Sequence, residues 1–235
     1  SFGGKSARRL GWICCGVILL VWLAVWSPRL RGPINFRWDA STYYVLGTAL
    51  AEGRGYRLLN EPGEIHAIQY PPLLPMVVAA HQLILGTNDY YKVGSALRLT
   101  YLVLSGLFLL MTYSFARKLL APPYALFVTL VSTLCFSTLL GTSEVLYAEM
   151  PFAVATMAFL LCQQRSDRPL FAAASGVLAA VAYLLRTAGL ALLVAWVADS
   201  LVRRRFRQAA VRAMLALLPV LVWQGYVWQI TRNDE

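Results

Sequence analysis

Long apolar runs, almost free of charge and separated by short charged turns, dominate the pattern of this chain. The runs cover about 10–26, 97–115, 119–141, 150–162, 169–185, 187–202 and 209–230, and a polar segment fills 27–96. A helix crossing a ~30 Å hydrocarbon core needs ~20 residues. The pattern therefore predicts an all-α, polytopic transmembrane helix bundle of about seven spans, forming a single module over 1–235. The shorter runs are expected to continue into their polar flanks. The stretch Pro169 to Val202, taken as one helix, would reach ~50 Å, too long for one crossing. Breaking it at Arg186 gives two spans and keeps that cation out of the bilayer centre.

The polar segment has its own pattern. Tyr43, Leu46, Gly47 and Leu50 share one face of a helix expected over Ala40 to Glu52, ended by Gly53 and Gly55. The turn-rich patch Asn60–Glu64 follows, and then Tyr70-Pro71-Pro72 leads into an apolar run from Leu73 to Leu85, closed by Gly86. The first helix is expected to lie in the membrane interface. The second run is too short to span and reads as interfacial or re-entrant.

Composition agrees with the pattern. Of 235 residues, 59% are hydrophobic and 14% charged, against about 45–50% and about 25% in soluble domains. The net charge of +10 does not point to nucleic acid, because the cations gather at the ends of apolar runs rather than in a basic stripe with interleaved aromatics. With seven spans, Lys5, Arg8 and Arg9, Arg117 and Lys118, Arg165 and Arg168, and Arg203 to Arg207 all fall on one side. That side, holding the amino terminus, is expected to be cytoplasmic. Asp39, Glu52, Glu61, Glu64, Asp89, Glu144 and Glu149 fall opposite. The first run lacks a small-residue cleavage site and reads as an uncleaved anchor. The start at Ser1 and the abrupt end after the last run suggest a fragment lacking a carboxy-terminal part. Cys14, Cys15, Cys135 and Cys162 lie in or beside apolar runs and read as packing residues.

Candidate chemistry gathers on the acidic side. Asp39, just beyond the first span, reads as a general base at the membrane surface or as the N-cap of the helix after it. Glu144 and Glu149 sit in a short outer loop, where they could bind an acceptor or a cation, form ion pairs, or simply face solvent. Arg186 and Arg98, at outer span edges, could grip a phosphate through the guanidinium fork or snorkel to headgroups. His66 and His81 have no metal-ligand spacing. No phosphate-cradling glycine loop or nucleophile elbow is present.

The order of these features resembles the GT-C membrane glycosyltransferases, closest to the protein mannosyltransferase, aminoarabinose transferase and rhizobial galacturonosyltransferase-like groups. The segments that carry the likeness are Trp38-Asp39-Ala40-Ser41-Thr42-Tyr43-Tyr44, Gly53-Arg54-Gly55-Tyr56, Tyr70-Pro71-Pro72-Leu73, Leu97-Arg98-Leu99, Glu149-Met150-Pro151 and Arg186-Thr187-Ala188-Gly189. The resemblance implies a sugar donor on a polyprenyl phosphate and a glycan, lipid or protein acceptor arriving from the periplasmic or lumenal side of a membrane such as the bacterial inner membrane. It implies Asp39 as catalytic base and Arg186 as a phosphate contact. Glu149, Glu144, Arg98 and Tyr70 are further substrate-binding candidates. No cofactor is assigned, and a divalent metal is left open. Ala40 stands where many relatives carry a second acid. A transporter would place ionisable residues within several spans, and these spans hold almost none. A non-catalytic scaffold or inactive relative would keep the same spans.

Overall fold

A computed structural model describes residues 4–135 and 144–233, and among them the chain is all helical. Helix α1 runs Gly4–Trp26 and ends in a 3-10 turn, Ser27–Arg29; α2 is Asp39–Ala51, α3 Leu73–Leu85, α4 Tyr90–Ala116 and α5 Pro122–Leu134. After the gap come α6, Glu149–Gln163, and α7, Pro169–Leu185. A 3-10 turn, Thr187–Gly189, then leads to α8, Leu190–Val202, and α9, Phe206–Asn233. Only isolated bridges, Asn35 with Val145 and Arg57 with His66, resemble strand pairing among the described residues. The end of the span expected over 119–141, and the loop up to Ser143, lie outside them.

Among the described residues, three helical stretches are long and apolar enough to cross a membrane: Arg9–Arg29, Tyr90–Ala116 and Phe206–Arg232. Helices α3 and α5 to α8 are apolar but shorter. Large apolar side chains such as Ile84 (82% exposed) and Val222 (72% exposed) face outward from them, a pattern that suits lipid rather than water.

Helix ends follow local chemistry. Helix α4 starts at Tyr90, earlier than the apolar run that begins at Leu97, because the Asp89 carboxylate caps it by accepting from the Lys92 backbone N–H at 2.9 Å. Pro122 and Pro123 open α5, later than Leu119, since proline suits the first turn and lacks the donor an interior position needs. Gly86 closes α3 in the left-handed conformation at φ 62°.

Between apolar helices in lipid, association depends on close packing rather than on escape from water. Gly106 lets Trp22 of α1 lie on α4, where a Cβ would come 3.1 Å from the indole, and the Trp22 Nε1 donates to the buried Ser105 hydroxyl at 2.9 Å. Gly176 of α7 leaves space for Trp196 of α8, whose Nε1 donates to the Ala172 carbonyl at 3.0 Å. Helices α2 and α3 pack on each other, with Gly47 against Val78. The face expected to meet the interface is thus turned inward: Tyr43 and Gly47 are buried towards α3, and Leu46 is buried among residues that include Phe159 and Ala179. Near the end of α8, Asp199 bonds Arg203 and, from α9, Arg212 at 2.8 and 3.0 Å, and Arg203 reaches Asp167 in the turn before α7 at 3.0 Å.

Candidate functional site

The segment between α1 and α2 is fastened before it reaches Asp39. The Arg98 guanidinium of α4 donates to the backbone carbonyls of Arg29 and, at 2.8 Å, Arg31. The Ile34 N–H donates to the Gly94 carbonyl at 3.0 Å, and Gly94 is tight because a Cβ would lie 2.6 Å from Pro33. On the other side, the Asn35 N–H donates to the Glu144 carbonyl at 3.0 Å, the Leu146 N–H donates to the Asn35 carbonyl at 3.1 Å, and the Arg29 and Glu144 side chains form an ion pair at 2.5 Å. Arg98 and Glu144 therefore anchor the backbone of residues 29–35 here, rather than standing beside Asp39.

The chain then turns sharply. Trp38 has φ 54° and ψ −132°, a conformation that a side chain with a Cβ adopts only under strain. The Ser41 hydroxyl donates back to the Trp38 carbonyl at 2.8 Å. Asp39 is the first residue of α2 and not its N-cap. Trp38 occupies the cap position, and no side-chain cap bond forms. The Asp39 carboxylate is exposed and accepts a hydrogen bond from the Tyr70 hydroxyl at 3.3 Å. Among the described residues no cation pairs with it.

Tyr70 is itself braced. Its carbonyl accepts from the Tyr56 hydroxyl at 2.8 Å, and its ring meets Tyr43 edge-on with centroids 5.3 Å apart. Burial raises the Tyr70 phenol above its usual range, and the Asp39 charge adds to that. Tyr43 lies deeper. Burial pushes its phenol up to about 12, helped by the negative charges of Glu149 and Asp39 and opposed by Arg186. One buried phenol thus feels Asp39, Glu149 and Arg186 together. The Tyr147 phenol is raised by burial first, then by Asp39 and Glu149.

Glu149 and Arg186 form an ion pair with each other. Each also suits its helix terminus: Glu149 opens α6 and Arg186 follows α7, where the helix dipole favours an anion and a cation respectively. The Arg186 backbone is extended, at φ −150° and ψ 138°. The turn after it folds back on α7. The Gly189 N–H donates to the Arg186 carbonyl at 2.8 Å, and a Cβ on Gly189 would lie 2.3 Å from the Ala182 carbonyl carbon and the Tyr183 nitrogen. The glycine is what lets the Arg186-Thr187-Ala188-Gly189 turn close.

An almost wholly apolar cleft of about 320 Å³ adjoins this polar cluster, lined by Leu73, Val77, Tyr101, Pro151, Val181 and Leu185 among others. Leu73 follows the Tyr70-Pro71-Pro72 segment, Pro151 lies on the first turn of α6 with Glu149, and Leu185 precedes Arg186. Tyr101 links cleft and cluster by donating its hydroxyl to the Tyr147 carbonyl.

Of the residues singled out in the sequence, Asp39 meets Tyr70 and Glu149 meets Arg186, with Tyr43 within reach of all four, while Arg98 and Glu144 hold the 29–35 segment that leads to Asp39. Tyr43 and Tyr147 belong to the cluster without having been singled out for chemistry. Tyr43 was legible only as one residue of the helix face expected to meet the interface, and Tyr147 only by its nearness to Glu149. His81 is tied to the Val77 carbonyl at 2.8 Å and to the Thr100 hydroxyl at 2.9 Å, and His66 lies 3.4 Å from the Tyr226 hydroxyl. No group of three or more His, Cys, Asp or Glu among the described residues could hold a metal ion. Comparison with protein-family models, curated proteins and solved structures finds no match.

Proposed function

We propose that this chain is a membrane glycosyltransferase that moves a sugar from a polyprenyl-phosphate donor to an acceptor hydroxyl, with Asp39 as the general base. The observation that carries the reading is a juxtaposition. A carboxylate without a cation partner among the described residues, an arginine fork and an almost wholly apolar cleft lie together at one end of the helices. Each fits one part of such a substrate pair. The cleft suits an isoprenoid chain, Arg186 suits the phosphate, and Asp39 suits an acceptor proton.

The reaction follows from these roles. The acceptor oxygen attacks the anomeric carbon and gives its proton to the Asp39 carboxylate. The bond from that carbon to the phosphate oxygen breaks, and its electron pair stays on the phosphate. The Arg186 cation offsets the charge that gathers there. Tyr70 holds the carboxylate in one orientation, which is the part of catalysis that geometry supplies. In this reading the seven apolar runs all cross the membrane, the basic turns face the cytoplasm, and the site faces the periplasmic or lumenal side.

The test is a transfer assay. The protein in nanodiscs is given a polyprenyl-phosphate sugar and a panel of glycan, lipid and peptide acceptors. The expected result is release of polyprenyl phosphate that depends on an acceptor and stops on Arg186→Ala. No release with any acceptor, from protein that binds polyprenyl phosphate, would argue for a non-catalytic lipid-binding role.

A further inference from the structure

We infer that Glu149 holds the place of the donor phosphate on Arg186, so that donor binding exchanges one anion for another and releases the Glu149 carboxylate into the site. This rests on the functional reading above and adds an order to it: donor first, acceptor second.

Three observations carry the inference. First, the pair is built to separate. Both side chains are partly exposed, at 44% for Arg186 and 39% for Glu149, so a phosphate can reach the guanidinium and water can take the carboxylate. Ion pairs this accessible are weak, whereas a phosphate can engage the arginine fork with two parallel hydrogen bonds. Secondly, neither partner needs the other to stay in place. Glu149 keeps the favourable field at the start of α6, and Arg186 keeps that at the end of α7, with its backbone fixed by the Gly189 turn. Thirdly, the pair stands beside the apolar cleft, since Pro151 and Leu185 line it. A phosphate at the head of an isoprenoid chain in the cleft would meet Arg186 where Glu149 now sits.

The carboxylate released has an evident destination. Tyr43 and Tyr147 each lie within electrostatic reach of both Glu149 and Asp39, so the freed group stays beside the space where an acceptor hydroxyl would be held. Glu149 is then a positioning residue that becomes available to the acceptor only after donor is bound. A vacant site would present the acceptor with one carboxylate, and a donor-loaded site with two.

The exchange is testable without turnover. Affinity for a long-chain polyprenyl phosphate is measured in nanodiscs for the wild type, Glu149→Gln, Arg186→Ala and the double variant, with a thermal melt for each. Freeing the arginine should tighten binding about three- to fivefold in Glu149→Gln, the reciprocal of the fraction of Arg186 not engaged by an exposed ion pair. The same substitution should have no effect in the Arg186→Ala background. Equal tightening in both backgrounds would mean simple charge repulsion and would overturn the exchange while leaving the phosphate site intact. Unchanged or weaker binding in Glu149→Gln would also overturn it. Equal affinity of wild type and Arg186→Ala would remove the phosphate from Arg186, and both the exchange and the donor site proposed above would fall. Binding that appears only in Glu149→Gln would support the exchange most strongly.

Discussion

The Tyr70 hydroxyl donates to the Asp39 carboxylate across 3.3 Å, joining the start of α2 to the Pro-Pro turn that opens α3. The loop between the two residues is shaped by Gly53, Gly55 and Gly63, all at positive φ, and by the Arg54 ion pair with Glu64. Those glycines serve turns, and the bond they permit gives the Asp39 carboxylate its side-chain partner among the described residues.

Tyr70→Phe should therefore disturb the carboxylate without unfolding the loop, because the ring contact with Tyr43 and the Tyr56 bond to the Tyr70 backbone both remain. Turnover is expected to fall about tenfold, the effect of losing one orienting hydrogen bond of about 1.4 kcal/mol. A steady-state transfer assay beside a thermal melt checks this; the melting temperature should barely move.

Gly189→Ala should damage the other half of the site. Its methyl group would lie 2.3 Å from backbone atoms of α7, so the turn must open. A stability loss of about 1–3 kcal/mol is expected from such overpacking, together with weaker polyprenyl-phosphate binding as Arg186 moves. Denaturant titration and a binding assay read the two effects.

Trp38→Gly should do the opposite to stability. The indole is 74% exposed, so little packing is lost, while φ 54° becomes an ordinary conformation. A gain of about 1 kcal/mol is expected, measured by thermal denaturation. Strain held next to Asp39 is of the kind functional sites retain, and an accompanying fall in transfer would show that here.

Much of this architecture is legible in the pattern of apolar runs. The interruption at Arg186 is legible because one helix through Pro169 to Val202 would overshoot the bilayer. The early start of α4 is not legible from apolarity, since Tyr90, Tyr91 and Lys92 precede the run; the Asp89 cap is the signal that marks it. Asp39 reads equally well as a cap or as a base from spacing alone. The backbone of Trp38, which takes the cap position, removes the cap reading. The partners of Glu144 and Glu149 were also beyond reach, because neighbouring acids in one loop bond arginines from different elements, Arg29 after α1 and Arg186 after α7.

The buried Tyr43 phenol predicts how the fold responds to alkali. Its folded pKa is pushed up to about 12 from an ordinary value of 10.0. The folded state thus keeps a proton that the unfolded chain gives up. Its share of the stability is complete below pH of about 10 and is lost as pH rises towards about 12. Tyr43→Phe has no proton to lose, so its stability should fall less over that interval than that of the wild type. Denaturation curves at stepped pH compare the two.

Asp39 as general base is tested most sharply by the turnover of Asp39→Asn, measured with a polyprenyl-phosphate sugar and matched against its thermal stability and donor affinity. Asparagine keeps the size and can still accept from Tyr70, but it cannot take up the acceptor proton. A proton-accepting role for Asp39 requires a folded variant with unchanged donor binding and turnover lower by about 10²-fold or more. Near-normal turnover in a well-folded Asp39→Asn variant would contradict it.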